Sequence, residues 1–539
     1  MPVFKASGFF VPMRTTHIPV SPDWYTVILQ TYANREHGEV TKRSMTMGAI
    51  ARRITRVITA VVCVAVSVGV SVATLHVPTR EGGGERFNPA RYRSDVIVTM
   101  FQANWKSVAR ECGEVLGPEG VGYVQVSPPQ ESIQGTQWWT SYQPVSYKLD
   151  SKLGTEAEFK NMVQQCSAAG VGIIADVVLN QTTGADVAAG DQKGVAGSEY
   201  NGSTGSYPGF ATKQYPDGIT AADFHSCTKN ISDYTNQKEV QECRLSSMWD
   251  FNSESEKVQD IQSDYLASLW NAGVRGFRMD AVKHIHTDSM KAIKEKFAKK
   301  IGKNANDIYW IQEVIGNASE AAGIQPSNYV QNGTVTEFGF KSEMNQTFKD
   351  KIANLKGLSD RLSKDLSSDD ANVFVTNWDT ARNEGALTYK DGAKYQLANA
   401  FMLAYDYGTP RLLSDYKWDV NDNGAPGATA TSVPDVDMDK ACSTNDSDWN
   451  CEQRWTSTRG MIAFRNYVNG TKVADWQDDG GDNIAFSRGA KGFIAINNGK
   501  KDKDASYTTS LADGEYCNVY ATMDLSLIHI SEPTRLRRI

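Results

Sequence analysis

No cluster of lysine and arginine runs through the folded part of this 539-residue chain, and a net charge of −7 with a pI near 5.7 leaves no electrostatic footprint for nucleic acid. A neutral or weakly charged substrate is the expectation that remains. Histidine is scarce: of seven in all, only His225, His284 and His286 fall in the part expected to fold. Long apolar runs are scarce as well. The uncharged run from Val57 to Leu75 follows Arg52, Arg53 and Arg56 and ends in small residues around Ser71-Val72-Ala73. A basic start, an apolar middle and a small-residue end describe a cleaved secretory leader, placed at 45–73. The competing reading is a retained membrane anchor, since the run just reaches bilayer length.

A cleaved leader predicts a secreted, extracellular protein, monomeric and with no membrane part in the mature form. Residues 1–44 precede Met45 and Met47, either of which starts a normal leader, so they read as an upstream extension outside the fold. Cysteine usage agrees with export. Cys112, Cys166, Cys227, Cys243, Cys442 and Cys451 form an even set beyond the leader, as in disulfide-bonded proteins, and Cys517 is the odd one. The stretch 525–539 continues no strand pattern and reads as a non-native tail, with the domain before it cut short.

With 40% hydrophobic and 22% charged residues, the chain can bury a large catalytic unit and a smaller accessory one. From Asp95 onward, short β-branched runs alternate with amphipathic helical stretches, the pattern of a parallel sheet wrapped by helices. Strands are expected at 95–101, 122–128, 171–178, 276–282, 307–314, 334–340, 372–379 and 401–408. Eight strands close a (β/α)8 barrel, an α/β fold assigned here to 94–468. Helices are expected at 155–170, opened by a Thr155/Glu158 capping box, at 253–273 and near 451–468. A Gly/Ser/Thr/Asp-rich insertion, 181–250, interrupts the alternation after strand three, with Cys227 and Cys243 placed to pin it. Alternating runs near 484–486 and 492–496 predict an antiparallel β-domain over 469–524.

In such a barrel, side chains at the C-terminal ends of strands share one mouth. Asp280, Glu313 and Asp379 are expected at the ends of strands four, five and seven. Any one of them alone fits a helix cap or loop ion pair, but three in register fit glycoside cleavage. That reaction with retention needs a nucleophilic carboxylate and an acid/base carboxylate about 5–5.5 Å apart. Arg278, two residues before Asp280 on one strand, points to the same face and keeps that carboxylate charged.

The motifs then carry a resemblance. Gly276-Phe277-Arg278-Met279-Asp280-Ala281-Val282-Lys283-His284, Gln312-Glu313-Val314, Phe374-Val375-Thr376-Asn377-Trp378-Asp379 and Asp176-Val177-Val178-Leu179-Asn180 resemble the fourth-, fifth-, seventh- and third-strand motifs of the alpha-amylase family. The loop Gln137–Tyr147 resembles its aromatic loop. The resemblance covers 95–524 and is similar to the secreted, chloride-dependent and actinobacterial-type members. It implies Asp280 as nucleophile, Glu313 as general acid/base and Asp379 as transition-state stabiliser. It further implies Trp138, Trp139, Tyr142, Gln143, Arg278, Lys283, His284 and Glu337 as sugar contacts. Calcium is implied on Asn180 and Asp250 with the backbone carbonyls of Gln241 and His284, and chloride on Arg278, Asn377 and Arg411.

Two positions depart from the family pattern, which has histidine where this chain has Gln181 and Trp378. A lost hydrogen bond to the reacting sugar costs rate before affinity. Gln181 still donates and accepts, whereas Trp378 offers one N–H and much bulk. The resulting expectation is retaining endo-hydrolysis of α-1,4-glucans such as starch. Its alternatives are a glucosidase or transglycosylase of the same family and a glucan-binding protein with a degraded site.

Overall fold

The apolar residues of each short run alternate between two destinations, and this builds a barrel. The computed structural model describes residues 8–12 and 94–521, apart from 185–189, 384, 445 and 515; the expected leader at 45–73 and tail at 525–539 lie outside the described residues. Eight parallel strands close on themselves: β1 Ile97–Met100, β2 Tyr123–Val126, β3 Gly172–Val177, β4 Gly276–Met279, β5 Tyr309–Gln312, β6 Thr334–Glu337, β7 Ala371–Val373 and β8 Thr409–Ser414. Ile97, Tyr123, Ile174, Tyr309 and Ile311 plug the barrel interior as a separate apolar cluster. Their strand neighbours Val98, Val124, Ile173 and Ala175 join the main core outside. The period of two therefore also sends Asp176, Arg278 and Gln125 inward, above that plug.

The expected capping box forms at helix Glu156–Ala168: Thr155 accepts from Glu158 N and Glu158 accepts from Thr155 N. Helix Glu256–Ala272 stops at Gly273, whose φ of 108° a side chain resists. Helix Thr456–Val468 ends the barrel wall.

Two expectations are corrected. The eighth strand is not 401–408: Ala393–Ala404 is a helix and β8 follows at Thr409–Ser414. Leu397 to Ala404 is buried on every side, so the run carries no period that separates a buried helix from a buried strand. Strand seven also stops early, at Val373, and Asp379 sits in the first turn of helix Trp378–Asn383.

At the base of the insertion, Gln181–Gly184 pairs antiparallel with Met248–Asp250, with Gln181 opposite Asp250. Tyr200, Tyr207, Phe210, Phe224 and Phe251 give the insertion its own apolar cluster. Disulfides join Cys227 to Cys243, Cys112 to Cys166 and Cys442 to Cys451. Beyond the barrel, β9 Val473–Asp478, β10 Asn483–Arg488 and β11 Gly492–Asn497 form an antiparallel sheet. Gly8–Pro12 lies in that same sheet, between β11 and Tyr516–Asn518. This differs from the expectation that 1–44 stays outside the fold. β11 pairs with β10 on one side and with Gly8–Pro12 on the other, so the backbone of 8–12 occupies what would otherwise be a sheet edge. Among the described residues, no helix is long and apolar enough to cross a membrane.

Candidate active site

Arg278 organises the barrel mouth. It is 1% exposed, and its Nη1 donates to Asp176 Oδ1 at 2.8 Å and to Asp280 Oδ1 at 2.7 Å. Its Nη2 lies 2.5 Å from Glu313 Oε1. One guanidinium thus holds three carboxylates from β3, β4 and the end of β5, because register pairs Arg278 with Asp176 on one side and with Ile311 on the other. The amide of Ala281, at a left-handed φ of 51°, donates to Glu313 Oε2 at 3.0 Å, while Glu313 N donates to Met279 O. Two sharing contacts therefore fix Asp280 and Glu313 against each other.

Electrostatics follow from burial. Burial raises Asp280 to about 7, Arg278 opposes the rise, and Glu313 and Asp176 add to it. Burial first, then Glu313, pushes Asp379 up to about 8. The ordinary value for both is 3.8, so the site holds protons into the neutral range.

Gln181 Nε2 donates to Tyr142 O at 3.2 Å and to Asp280 Oδ2 at 3.3 Å, leaving its buried Oε1 without a hydrogen bond. Trp378 is 1% exposed and lies flat on Phe101, with centroids 5.0 Å apart and planes at 9°. Arg278 sits over its ring at 5.1 Å, and its indole N–H has no partner. The bulk of Trp378 is thus absorbed by stacking beside the carboxylates.

Other expected contacts already have partners in the protein. Trp138 Nε1 donates to Asn421 O at 2.8 Å, Tyr142 OH to Asp176 Oδ2 at 2.8 Å, and Gln143 Oε1 accepts from Gly184 N at 2.9 Å. Trp139 is half-buried against both apolar clusters. Lys283 pairs with Glu320 and lies over the ring of Tyr234, and His284 Nδ1 meets Val240 O at 3.0 Å. Burial holds His284 down at about 4, so its ring is neutral. Glu337 caps helix Phe338–Lys349 through Gly339 N at 2.7 Å and accepts from Tyr407 OH at 3.4 Å. Its two oxygens are spoken for inside the protein.

Sequence reasoning missed Arg382. It pairs with Asp415 at 2.8 and 3.1 Å, is ringed by Phe101, Trp138, Tyr416 and Trp418, and donates to Trp378 O at 3.2 Å. It anchors the helix that carries Asp379. Its distance of three residues from Asp379 was the one signal available.

The cation set fits its proposed ion. Asp250 is 2% exposed and Asn180, whose side chain lies beside it, 3%; Asp250 Oδ1 makes no hydrogen bond that meets normal geometry, and the Val240–His284 contact brings the carbonyl segments together. A buried, bare carboxylate oxygen calls for a cation. The anion set fits too. Arg411 donates to the neutral oxygens Gln125 Oε1 at 3.0 Å and Thr336 Oγ1 at 3.4 Å, and Arg278 Nε has no partner. Burial and then Arg278 push Arg411 down to about 10. Asn377 Oδ1 accepts from Thr380 N at 2.8 Å, which leaves its amide group to donate.

Comparison with known proteins agrees with this geometry. Residues 124–411 match the family described as "Alpha amylase, catalytic domain", and 473–530 match "Alpha amylase, C-terminal all-beta domain". An alpha-amylase of Streptomyces violaceus is 38% identical over 80% of this chain and 70% of its own length. One from Thermomonospora curvata is 40% identical over 79% and 67%. The crystal structure of alpha-amylase I from Eisenia fetida superposes with a TM-score of 0.72 at 34% identity, covering 80% of this chain and 89% of that one. A mutant of that enzyme in complex with maltohexaose matches equally.

Proposed function

The chain belongs to the alpha-amylase family of glycoside hydrolases, and on that premise we propose that Asp280, Glu313 and Asp379 hydrolyse the α-1,4 bonds of starch by retaining double displacement. The observation that carries this assignment is the single guanidinium of Arg278 shared by Asp280 and Glu313. Asp280 attacks the anomeric carbon as Glu313 gives its proton to the departing glycosidic oxygen. Glu313 then takes a proton from water, which releases the glycosyl group from Asp280. Asp379 faces the oxocarbenium-like centre, and Gln181 keeps Asp280 Oδ2 oriented.

Asn180, Asp250 and the carbonyls of Gln241 and His284 would hold calcium, whose charge would tie the insertion to the barrel. Arg278, Asn377 and Arg411 would hold chloride, which would balance two buried guanidinium groups. Three disulfides fit an oxidising, extracellular setting, and we place the protein there as a secreted enzyme. A glucan-binding protein is the second reading, favoured only by Gln181 and Trp378. The retained carboxylates and Arg278 oppose it.

Soluble starch digested by the protein with calcium and chloride present tests the assignment. Long oligosaccharides dominating the earliest products are expected; glucose or maltose released alone from chain ends contradicts endo action. Chelation gives a further expected outcome. Removing calcium with EGTA lowers the melting temperature and opens 181–250 to proteolysis, and added calcium reverses both; unchanged protection after metal removal contradicts the bracing role.

A further inference from the structure

The turn that carries the aromatic pair hangs on a buried ammonium group. Lys152 is 2% exposed, and its Nζ donates to Gln137 O and to Thr140 Oγ1, each at 2.7 Å. Those acceptors bracket Trp138 and Trp139 in the short turn Trp138–Tyr142, whose first cap, Gln137, makes no side-chain cap bond of its own. Thr140 Oγ1 also donates to Gln137 O at 2.7 Å, so ammonium, hydroxyl and carbonyl close a ring. Among the described residues no carboxylate pairs with Lys152, and burial pushes its ammonium down to about 7. Packing alone does not account for a lysine at such a place, because burying an ammonium against neutral oxygens disfavours its charge.

The lysine is itself held. Its carbonyl accepts from Val433 N at 2.7 Å, and Ser151 and Gly154 exchange backbone hydrogen bonds on either side of it. The far end of the turn is tied to the carboxylates. Tyr142 OH donates to Asp176 Oδ2, and Tyr142 O accepts from Gln181 Nε2, which also donates to Asp280 Oδ2. The near end has less burial to hold it, since Gln134 and Thr136 on the entering chain are exposed. Hydrogen bonds fix that end instead: Gly135 N to Ala430 O, and the two from Lys152.

We infer that Lys152 is a positioning residue for substrate binding: its two hydrogen bonds set the turn so that Trp138 and Trp139 stand ready to meet an α-glucan chain. The inference rests on the reading of this aromatic turn as a sugar contact. A turn fixed before binding spares the complex the cost of ordering it. Lys152 lies outside the carboxylate cluster, so its loss weakens binding more than turnover.

The test is made on the full-length chain. Lys152→Met keeps an unbranched side chain and removes both donors; KM for maltoheptaose is expected to rise about tenfold while kcat falls less than about threefold. Binding of the same sugar to Asp280→Asn, followed by tryptophan fluorescence, weakens by about the same factor when Lys152→Met is added. That readout needs no turnover, so failure of this inference is distinguishable from failure of the hydrolytic reading. Thr140→Val removes one acceptor and raises KM about threefold, but adds nothing on top of Lys152→Met. Lys152 also lines a cavity of about 470 Å3 with Asp150 and Glu158. In Lys152→Ala, propylammonium entering there is expected to restore KM, with no effect on the unaltered chain. A lowered melting temperature with unchanged KM makes the lysine a structural strut and overturns the inference, as does a fall in kcat as large as the rise in KM. Should Lys152→Met fail to melt cooperatively, Thr140→Val decides, and an unchanged KM there overturns the inference.

Discussion

Replacing Asp280 with Asn abolishes starch hydrolysis, with kcat falling on the order of 10^4-fold or more, the scale of loss when a covalent nucleophile is removed. Folding survives the change. Arg278 keeps Asp176 and Glu313 as partners, and a neutral amide removes a buried charge that the fold disfavours. A variant that is inactive because it no longer melts cooperatively contradicts this account, and so does one that keeps substantial turnover. The raised value of Asp280 adds a pH signature. The nucleophile works only when ionised, so kcat/KM climbs as pH rises through its value, near 7 rather than the ordinary 3.8. An acid limb at ordinary carboxylate values contradicts the burial argument.

The second large effect is on stability. Arg278→Met leaves Asp176, Asp280 and Glu313 without their shared cation inside the barrel, at a cost of about 3–5 kcal/mol. That loss depends on pH with a definite sign. Asp280 and Asp379 sit at about 7 and about 8, above the ordinary 3.8, so the folded state binds more protons than the unfolded state across that window. Stability contributed by these protonated groups is fully present below about pH 4 and is lost as pH rises through 7 to 8. Taking away Arg278 removes the largest opposing charge on both groups and deepens the fall. Urea unfolding of both proteins at pH 5 and pH 8 should therefore show a gap that widens with pH; a constant gap contradicts the assignment of Arg278 as the charge that holds the site together.

Much of this site was readable from residues alone, for a physical reason. Barrel strands repeat with period two, so Asp176, Arg278 and Asp280 had to share the inner face, and the structure joins them within 2.8 Å. Strand eight was misread because an all-buried run such as Leu397 to Ala404 has no polar face to reveal its period. Asp379 was expected on a strand and lies on a helix, since a strand of three residues gives too short a pattern to bound. Arg382 with its cage from Phe101, Trp138, Tyr416 and Trp418 was out of reach, because those partners are scattered over some three hundred residues of sequence. The same holds for His225 and His286, which meet only through Glu254 in space. Local patterns fix which face a side chain takes; they do not say what stands opposite.

The departures at Gln181 and Trp378 also gain a physical account. Gln181 holds Asp280 with the N–H that an imidazole would offer, and Trp378 spends its bulk on Phe101 and Arg278. Neither side chain titrates, so protons in the mouth belong to the carboxylates.

The most direct measurement is the anomeric form of the first product released from a maltooligosaccharide, read by proton NMR before mutarotation sets in. Attack by Asp280 from one face, followed by attack of water from the opposite face that the leaving oxygen vacated, delivers the α-anomer, which is the result predicted here. The β-anomer formed first means water attacked directly and contradicts the nucleophilic role of Asp280.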